Sequence, residues 1–219
     1  MRLTVHDRER IPPAGLEQVH MCGPDDVPWF GRAYFSGDQL IIERNETDSG
    51  RVFVPWRIGE SGSLLINTST LMERDRPYIL EVELARGMLN NLRNQIAQWE
   101  MMGLMVPASL RGKVLEATSD FSRAASSQDD VPAAADWAEH ALVGTINAMR
   151  EVTAEYIKQA IASRRAQERQ FTSWFGVHLG GGQIPKANVA RHVVNTFNMV
   201  SLPFTWRAIE AVEGRRNWT

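Results

Sequence analysis

Apolar residues in this chain change their spacing twice, and each change closes off a class of fold. Up to about residue 78 they come in short runs rich in β-branched and aromatic side chains, over 31–35, 39–44, 51–56 and 63–70. Between the runs stand Ser36-Gly37-Asp38, 45–50 and Gly59-Glu60-Ser61-Gly62, the chemistry of tight turns. From about 79 to 165 the spacing lengthens to three and four, with Leu80, Leu84, Met88, Leu92, Ile96 and Trp99 on one stripe. From about 170 it becomes strand, helix, strand. A chain with these three patterns is neither all-α nor all-β, and the predicted class is α+β.

The first zone, 1–78, reads as an antiparallel β domain, either a sandwich or a sheet packed on something else. Leu40-Ile41-Ile42 and Leu64-Leu65-Ile66 are continuous rather than alternating, which predicts cover on both faces. The second zone, 79–169, reads as a helical hairpin region. Its first helix should stop at Gly103, and Pro107 should open a second over about 108–125 with Leu110, Val114, Leu115 and Phe121 inward. Asp129 and Asp130 suit the start of a third, over 132–165, because acidic groups oppose the dipole at a helix N-terminus. Trp137, Ala141, Leu142, Thr145, Met149, Val152, Tyr156 and Ala160 form its stripe, and its length is about 50 Å. Short connections predict antiparallel neighbours. Trp99 with Met101-Met102 reads as a packing face before a ligand groove, and Arg164, Arg165 and Arg169 as a solvated helix end.

In the third zone, 170–219, a strand is predicted over Thr172–Leu179, then Gly180-Gly181-Gly182, a helix over 186–197 with Val189, Val193 and Phe197 inward, and a strand over 199–204. That is a βαβ unit with parallel strands. The triple glycine has neither a P-loop ending nor the dinucleotide register, so it reads as a connection.

Composition removes several functions. Lys plus Arg total 24 against 26 Asp plus Glu, so the chain has no basic excess to displace counterions, and no nucleic-acid partner is expected. Cys22 is the sole cysteine; it forms no internal disulfide, and it reads as a reactive thiol or as a small apolar residue. The five histidines are scattered, no nucleophile elbow is present, and neither a metal nor an organic cofactor is predicted. Charges begin at Arg2 and no run approaches a membrane span, so the expectation is a cytoplasmic chain without membrane contact. The sequence leaves the oligomeric state open.

Three residues stand where chemistry is expected. His178 lies near the carboxyl end of the first parallel strand, the edge where α/β folds place their sites. Trp206 and Arg207 follow the carboxyl end of the second. An indole plane beside a multidentate donor suits a sugar ring. The structural alternative is a Trp that caps the layer, with Arg207 paired to Glu210.

The last fifty residues also carry a resemblance. Trp174-Phe175-Gly176-Val177, Thr196-Phe197-Asn198-Met199-Val200-Ser201, Trp206-Arg207-Ala208-Ile209-Glu210 and Glu213-Gly214 through Asn217-Trp218 resemble, in order and spacing, the opening of a glycoside hydrolase family 10 barrel. Upstream, Arg76–Leu80 and Glu83–Gly87 resemble the region that precedes the barrel in bacterial family-10-like xylanases. The resemblance implies the start of a (β/α)8 barrel at 170–219 and a hydrolase of β-1,4-linked polysaccharide such as xylan. It implies sugar contacts at Trp206, and an accessory domain at 1–78 that is a candidate for carbohydrate binding. One departure is plain: where the family has Glu-Asn and Lys before the Trp, this chain has Leu202-Pro203-Phe204-Thr205. A retaining glycosidase also needs two carboxylates about 5–5.5 Å apart. In the family these follow the fourth and seventh strands, so the resemblance makes residues 1–219 catalytically incomplete, with no catalytic role for Glu210 or Glu213. The rival expectation is a non-catalytic carbohydrate-binding or interaction module.

Overall fold

The computed structural model describes residues 1–167, 173–180 and 186–216. Arg169, most of the triple glycine, and Asn217-Trp218 lie outside them. The chain divides into two units, Met1–Ala162 and Ser163–Thr219.

In the first unit, turn chemistry and alternation produce the strands. Gly31–Ser36 (β3) and Gln39–Arg44 (β4) form a hairpin whose register, Ser36 opposite Gln39, leaves a two-residue link. Gly37 opens that link at φ +60, a conformation glycine adopts without Cβ strain. Arg2–Thr4 (β1) pairs antiparallel with β4, and Tyr78–Ile79 (β7) pairs with β1 in parallel, giving the order β3-β4-β1-β7. The parallel pair departs from the expected all-antiparallel domain. It arises because β7 returns from more than 70 residues away, and local sequence has no signal for that. A second sheet, β2-β5-β6, joins His20–Cys22 (β2), Arg51–Arg57 (β5) and Ser63–Asn67 (β6), all antiparallel.

Two expectations about these strands need correction. Leu65 is 53% exposed between half-buried Leu64 and buried Ile66, and Ile41 is less buried than Leu40 and Ile42. Each sheet therefore has one inner face, and the continuous apolar runs conceal an ordinary alternation.

Three helices follow: Leu80–Met101 (α1), Ala108–Ser126 (α2) and Val131–Gln167 (α3). Gly103 at φ +98 ends α1, and Leu104 N–H returns to the Trp99 carbonyl. Asp130 Oδ1 accepts from Ala133 N–H at 3.2 Å at the start of α3. One buried cluster takes Leu3, Leu40 and Ile42 from the first sheet, Val54, Trp56 and Ile66 from the second, Leu80 and Leu84 from α1, and Ala138 and Leu142 from α3. The β-rich and helical zones thus share one core. A second cluster joins Leu92, Leu110, Ala148 and Val152. The start of α2 therefore lies beside the later part of α3, while Ala124 at its end joins Ala134 and Ala138. The two run antiparallel, as the short connection requires. Leu115, expected inward, is 68% exposed: it lies off the stripe of Leu110, Val114 and Ala117.

The close approach of α1 to β6 depends on Gly87. A Cβ there would overlap the Asn67 carbonyl oxygen and the Thr68 backbone. The polar groups beneath it are matched: Asn91 Nδ2 donates to Asn67 Oδ1 (2.9 Å), and Val52 N–H donates to Thr68 Oγ1 (3.0 Å). Gly87→Ala should destabilise the chain by about 3 kcal/mol, because rigid backbone must move, and urea unfolding measures this.

In the second unit Gly176–His178 (β8) and Met199–Ser201 (β9) pair in parallel, joined through Ala187–Thr196 (α4). Asn198 ties the entrance, accepting from Phe175 N–H at 2.6 Å and donating to the Ser173 carbonyl at 2.9 Å. Phe175 and Phe197 stack at 4.9 Å. Trp206–Ile209 (α5) follows. None of the described residues of this unit is buried. Val189, expected inward, is 47% exposed, because two short strands and one helix offer no inside. Backbone amides of Val177, His178 and Val200 should exchange with deuterium orders of magnitude faster than those of Leu84 and Leu142. Hydrogen-exchange mass spectrometry checks this, and equal protection would show a hidden core.

Candidate functional site

The three residues singled out by the sequence all fall on the second unit. His178 ends β8, and its Nδ1 lies 3.2 Å from Ser201 Oγ, the residue opposite it on β9. Trp206 opens α5 and is 67% exposed; Arg207 follows it and is exposed. The suggested Arg207–Glu210 pair is not formed: Glu210 instead accepts from Gly214 N–H at 2.6 Å and pairs with Arg216 at 3.2 Å. Each of the three residues lies at, or follows, the carboxyl end of a parallel strand. Among the described residues, no hydrogen bond, ion pair or ring contact joins them to one another.

The first unit contains a site that the sequence reading missed. A cleft of about 580 Å³ opens where the chain leaves β1, beside the end of β5 and the first turns of α1 and α3. Trp56 from β5 and Glu81 from α1 form its buried side, and His6, Arg10, Glu139 and His140 stand around it. Asp7 initiates a short turn by accepting from Glu9 N–H at 3.1 Å, which aims Arg10 across the opening. Arg10 is then held by Asp7 Oδ2 (3.1 Å), the Arg57 carbonyl (3.1 Å) and Glu139 Oε1 (2.7 Å). Positions 135, 136, 139 and 140 line the cleft from α3 because they share one face of a helix.

Glu81 is only 4% exposed. Its Oε1 accepts from the backbone N–H groups of His6 (2.8 Å) and Asp7 (3.2 Å), whereas its Oε2 has no partner. Burial pushes its pKa above the ordinary glutamate value; the backbone donors at Glu81, Asp7 and His6 pull it back without offsetting the burial. Trp56, 1% exposed, keeps an unpartnered Nε1–H. A buried polar atom without a partner costs about 1–3 kcal/mol, so Glu81 and Trp56 each carry one such cost. Among the described residues no three His, Cys, Asp or Glu converge closely enough to hold a metal ion. No helix among them is long and apolar enough to cross a membrane. Cys22 is buried and its thiol pKa is raised chiefly by that burial, which matches the apolar reading of this residue.

Glu83, two residues on, is 1% exposed. Its Oε2 lies 3.1 Å from Arg86 Nη1 in an ion pair that lacks hydrogen-bond geometry. Burial raises its pKa too, against the opposing charges of Arg86 and Arg74. A signal for both carboxyls was present in the run Tyr78-Ile-Leu-Glu-Val-Glu-Leu-Ala85. Positions 81 and 83 stand about 200° apart on a helix, so with apolar neighbours at 80, 82, 84 and 85 they do not share a wet face. His6, Trp56 and His140, by contrast, carried no local sign that they meet.

Comparison with known proteins adds no relative: no protein-family model, no curated protein and no solved structure matches the chain.

The raised carboxyls set a direction for stability. Between the ordinary glutamate pKa and the raised one, the folded chain holds protons that the unfolded chain has released. Their contribution is complete below the ordinary value and is lost as pH rises through the raised value. Glu83→Gln should therefore gain thermal stability over the native chain as pH is raised from 5 to 8. Paired melting curves across that range measure the difference, and a difference that stays flat or shrinks would contradict the sign.

Proposed function

We propose that this chain is the amino-terminal part of a family-10-like glycoside hydrolase acting on β-1,4-linked polysaccharide, with the second unit as the first βαβ of a (β/α)8 barrel. The observation that carries the reading is the parallel β8–β9 pair bridged by α4, whose apolar side chains are left in solvent. Phe204 is 73% exposed, Trp174 77% and Val194 77%. Parallel strands are stable when both faces are covered and neighbours pair on each side, which further βα units of a barrel would supply. On this reading His178, Trp206 and Arg207 belong to the sugar-binding end, and the catalytic carboxylates come from later strands.

The test uses the product of the whole reading frame. It should release reducing ends from β-1,4-xylan, Trp206→Ala should lower kcat/KM about tenfold, and residues 1–219 alone should hydrolyse nothing. A native product without activity on any β-1,4-glucan or xylan would end the reading. A second reading, a non-catalytic carbohydrate-binding module, is favoured by the cleft of the first unit, which holds unpartnered buried polar groups and needs no later strands.

A further inference from the structure

We infer that the cleft between α1 and the segment following β6 binds one neutral sugar ring, whose hydroxyls meet the side-chain amides of Asn90, Asn91 and Asn94. The inference rests on the second reading above and adds a site to it, with the chemistry of its ligand.

A stripe of uncharged amides carries it. At about 100° per residue, Asn90, Asn91, Asn94, Gln95 and Gln98 share an arc of about 140° on α1, and Arg93 and Glu100 fall outside that arc. A solvated helix face ordinarily carries Lys, Glu or Arg, which form helix better than asparagine does. The first three of these amides line a cleft of about 340 Å³, together with Thr68, Ser69 and Thr70 from the segment after β6. Asn90 and Asn94 are exposed and Asn91 is half-buried, so these groups are open to a ligand.

Hydrogen bonds fix how the amides point. The Thr68 carbonyl only accepts, so Asn67 turns its Nδ2 to it (2.8 Å) and its Oδ1 to Asn91. Asn91 must then give its Nδ2 to Asn67 (2.9 Å), which leaves its own Oδ1 without a donor. That oxygen is not among the sealed, unpartnered atoms of the chain, so it meets solvent. Asn90 Nδ2 donates to Ser69 Oγ (2.9 Å), which leaves the Ser69 O–H free to donate in turn. The Asn94 side chain makes no hydrogen bond among the described residues. It stands three and four positions after Asn91 and Asn90, where Cβ atoms are about 5–6 Å apart, so one small ligand reaches all three.

The lining selects the ligand. Among the described lining residues Arg51 alone is charged, and Asp26 pairs with that guanidinium. An anion would face the Asn91 oxygen with the single cation already engaged, and a cation would find no carboxylate in the lining. None of these residues is aromatic, so a nucleobase has nothing to stack on. Pro24 has the only apolar side chain among them, so an extended peptide finds no pockets for its alternate side chains. A ring of hydroxyls needs neither, since each hydroxyl both donates and accepts. The volume stands at the lower end of the ~300–1,000 Å³ usual for small-ligand sites, room for one pyranose ring.

The experiment titrates D-xylose, D-glucose and D-galactose into the isotope-labelled 219-residue chain and follows the Asn91 and Asn94 side-chain amides by NMR. At least one sugar should shift both amides to saturation at millimolar concentration in the native chain, a readout that needs no variant to fold. Asn94→Ala, an exposed change that leaves the Asn67–Asn91 bond intact, should weaken binding about tenfold, and Trp206→Ala should leave it unchanged. Tetramethylammonium, citrate and acetyl-trialanine amide should produce no saturable shift at the same concentration. Absence of saturation with all three sugars, or saturation by an ion or the peptide instead, overturns the proposal. Sugar binding that leaves both amides unmoved, or that Asn94→Ala does not weaken, also overturns it, while the carbohydrate-binding reading would stand. A spectrum in which no resonance responds to any of the sugars ends that reading as well.

Discussion

Helix α1 begins inside the core. Strand β7 runs into it without a loop, and Leu80, Val82, Leu84, Ala85 and Leu89 are all buried. Helical side chains radiate in every direction, so burying successive residues requires neighbours on every side. The two sheets, α2 and α3 provide them. Glu81 and Glu83 are carried inside with their apolar neighbours, Gly87 must lack a side chain where the helix meets β6, and the cleft forms where the first turn of α1 faces α3.

The polar groups brought in by this arrangement meet different ends. Around Asn67 and Thr68 donors and acceptors are matched, so that region acts as a joint between helix and sheet. Around Glu81 the matching stops halfway: one oxygen holds the turn after β1 while the other is buried without a partner. The second unit shows the opposite imbalance, with apolar side chains and no interior. Its parallel strands have the connectivity of a βαβ unit without the cover that such strands need.

Much of the fold was legible locally. The strands β3 to β6 stand within three residues of their predicted limits, because glycine-rich turns separate them and β-branched residues fill them. The helices end where Gly103 and Asp130 act as stop and start signals. Strands β1, β2 and β7 escaped, since two or three residues are too few to show a period, and the parallel pairing of β7 depends on a partner at the other end of the zone. Leu65 and Leu115 misled for one reason: an apolar side chain on a wet face looks like any other apolar side chain in a string of letters.

The candidate site divides along the same line. His178, Trp206 and Arg207 were singled out because the succession of strands places them, and that succession is written in period and turn chemistry. Periodicity within a few residues was enough to determine the α+β class, the limits of β3 to β6 and of α1 to α3 to within a few residues, and the βαβ unit. Only the folded chain could decide that His6, Trp56, Glu81 and Glu139 line one cleft, and that Glu81 is buried with one oxygen unpaired. Those residues are brought together by packing between segments up to more than 130 positions apart, and a local pattern holds no record of what will lie across from it.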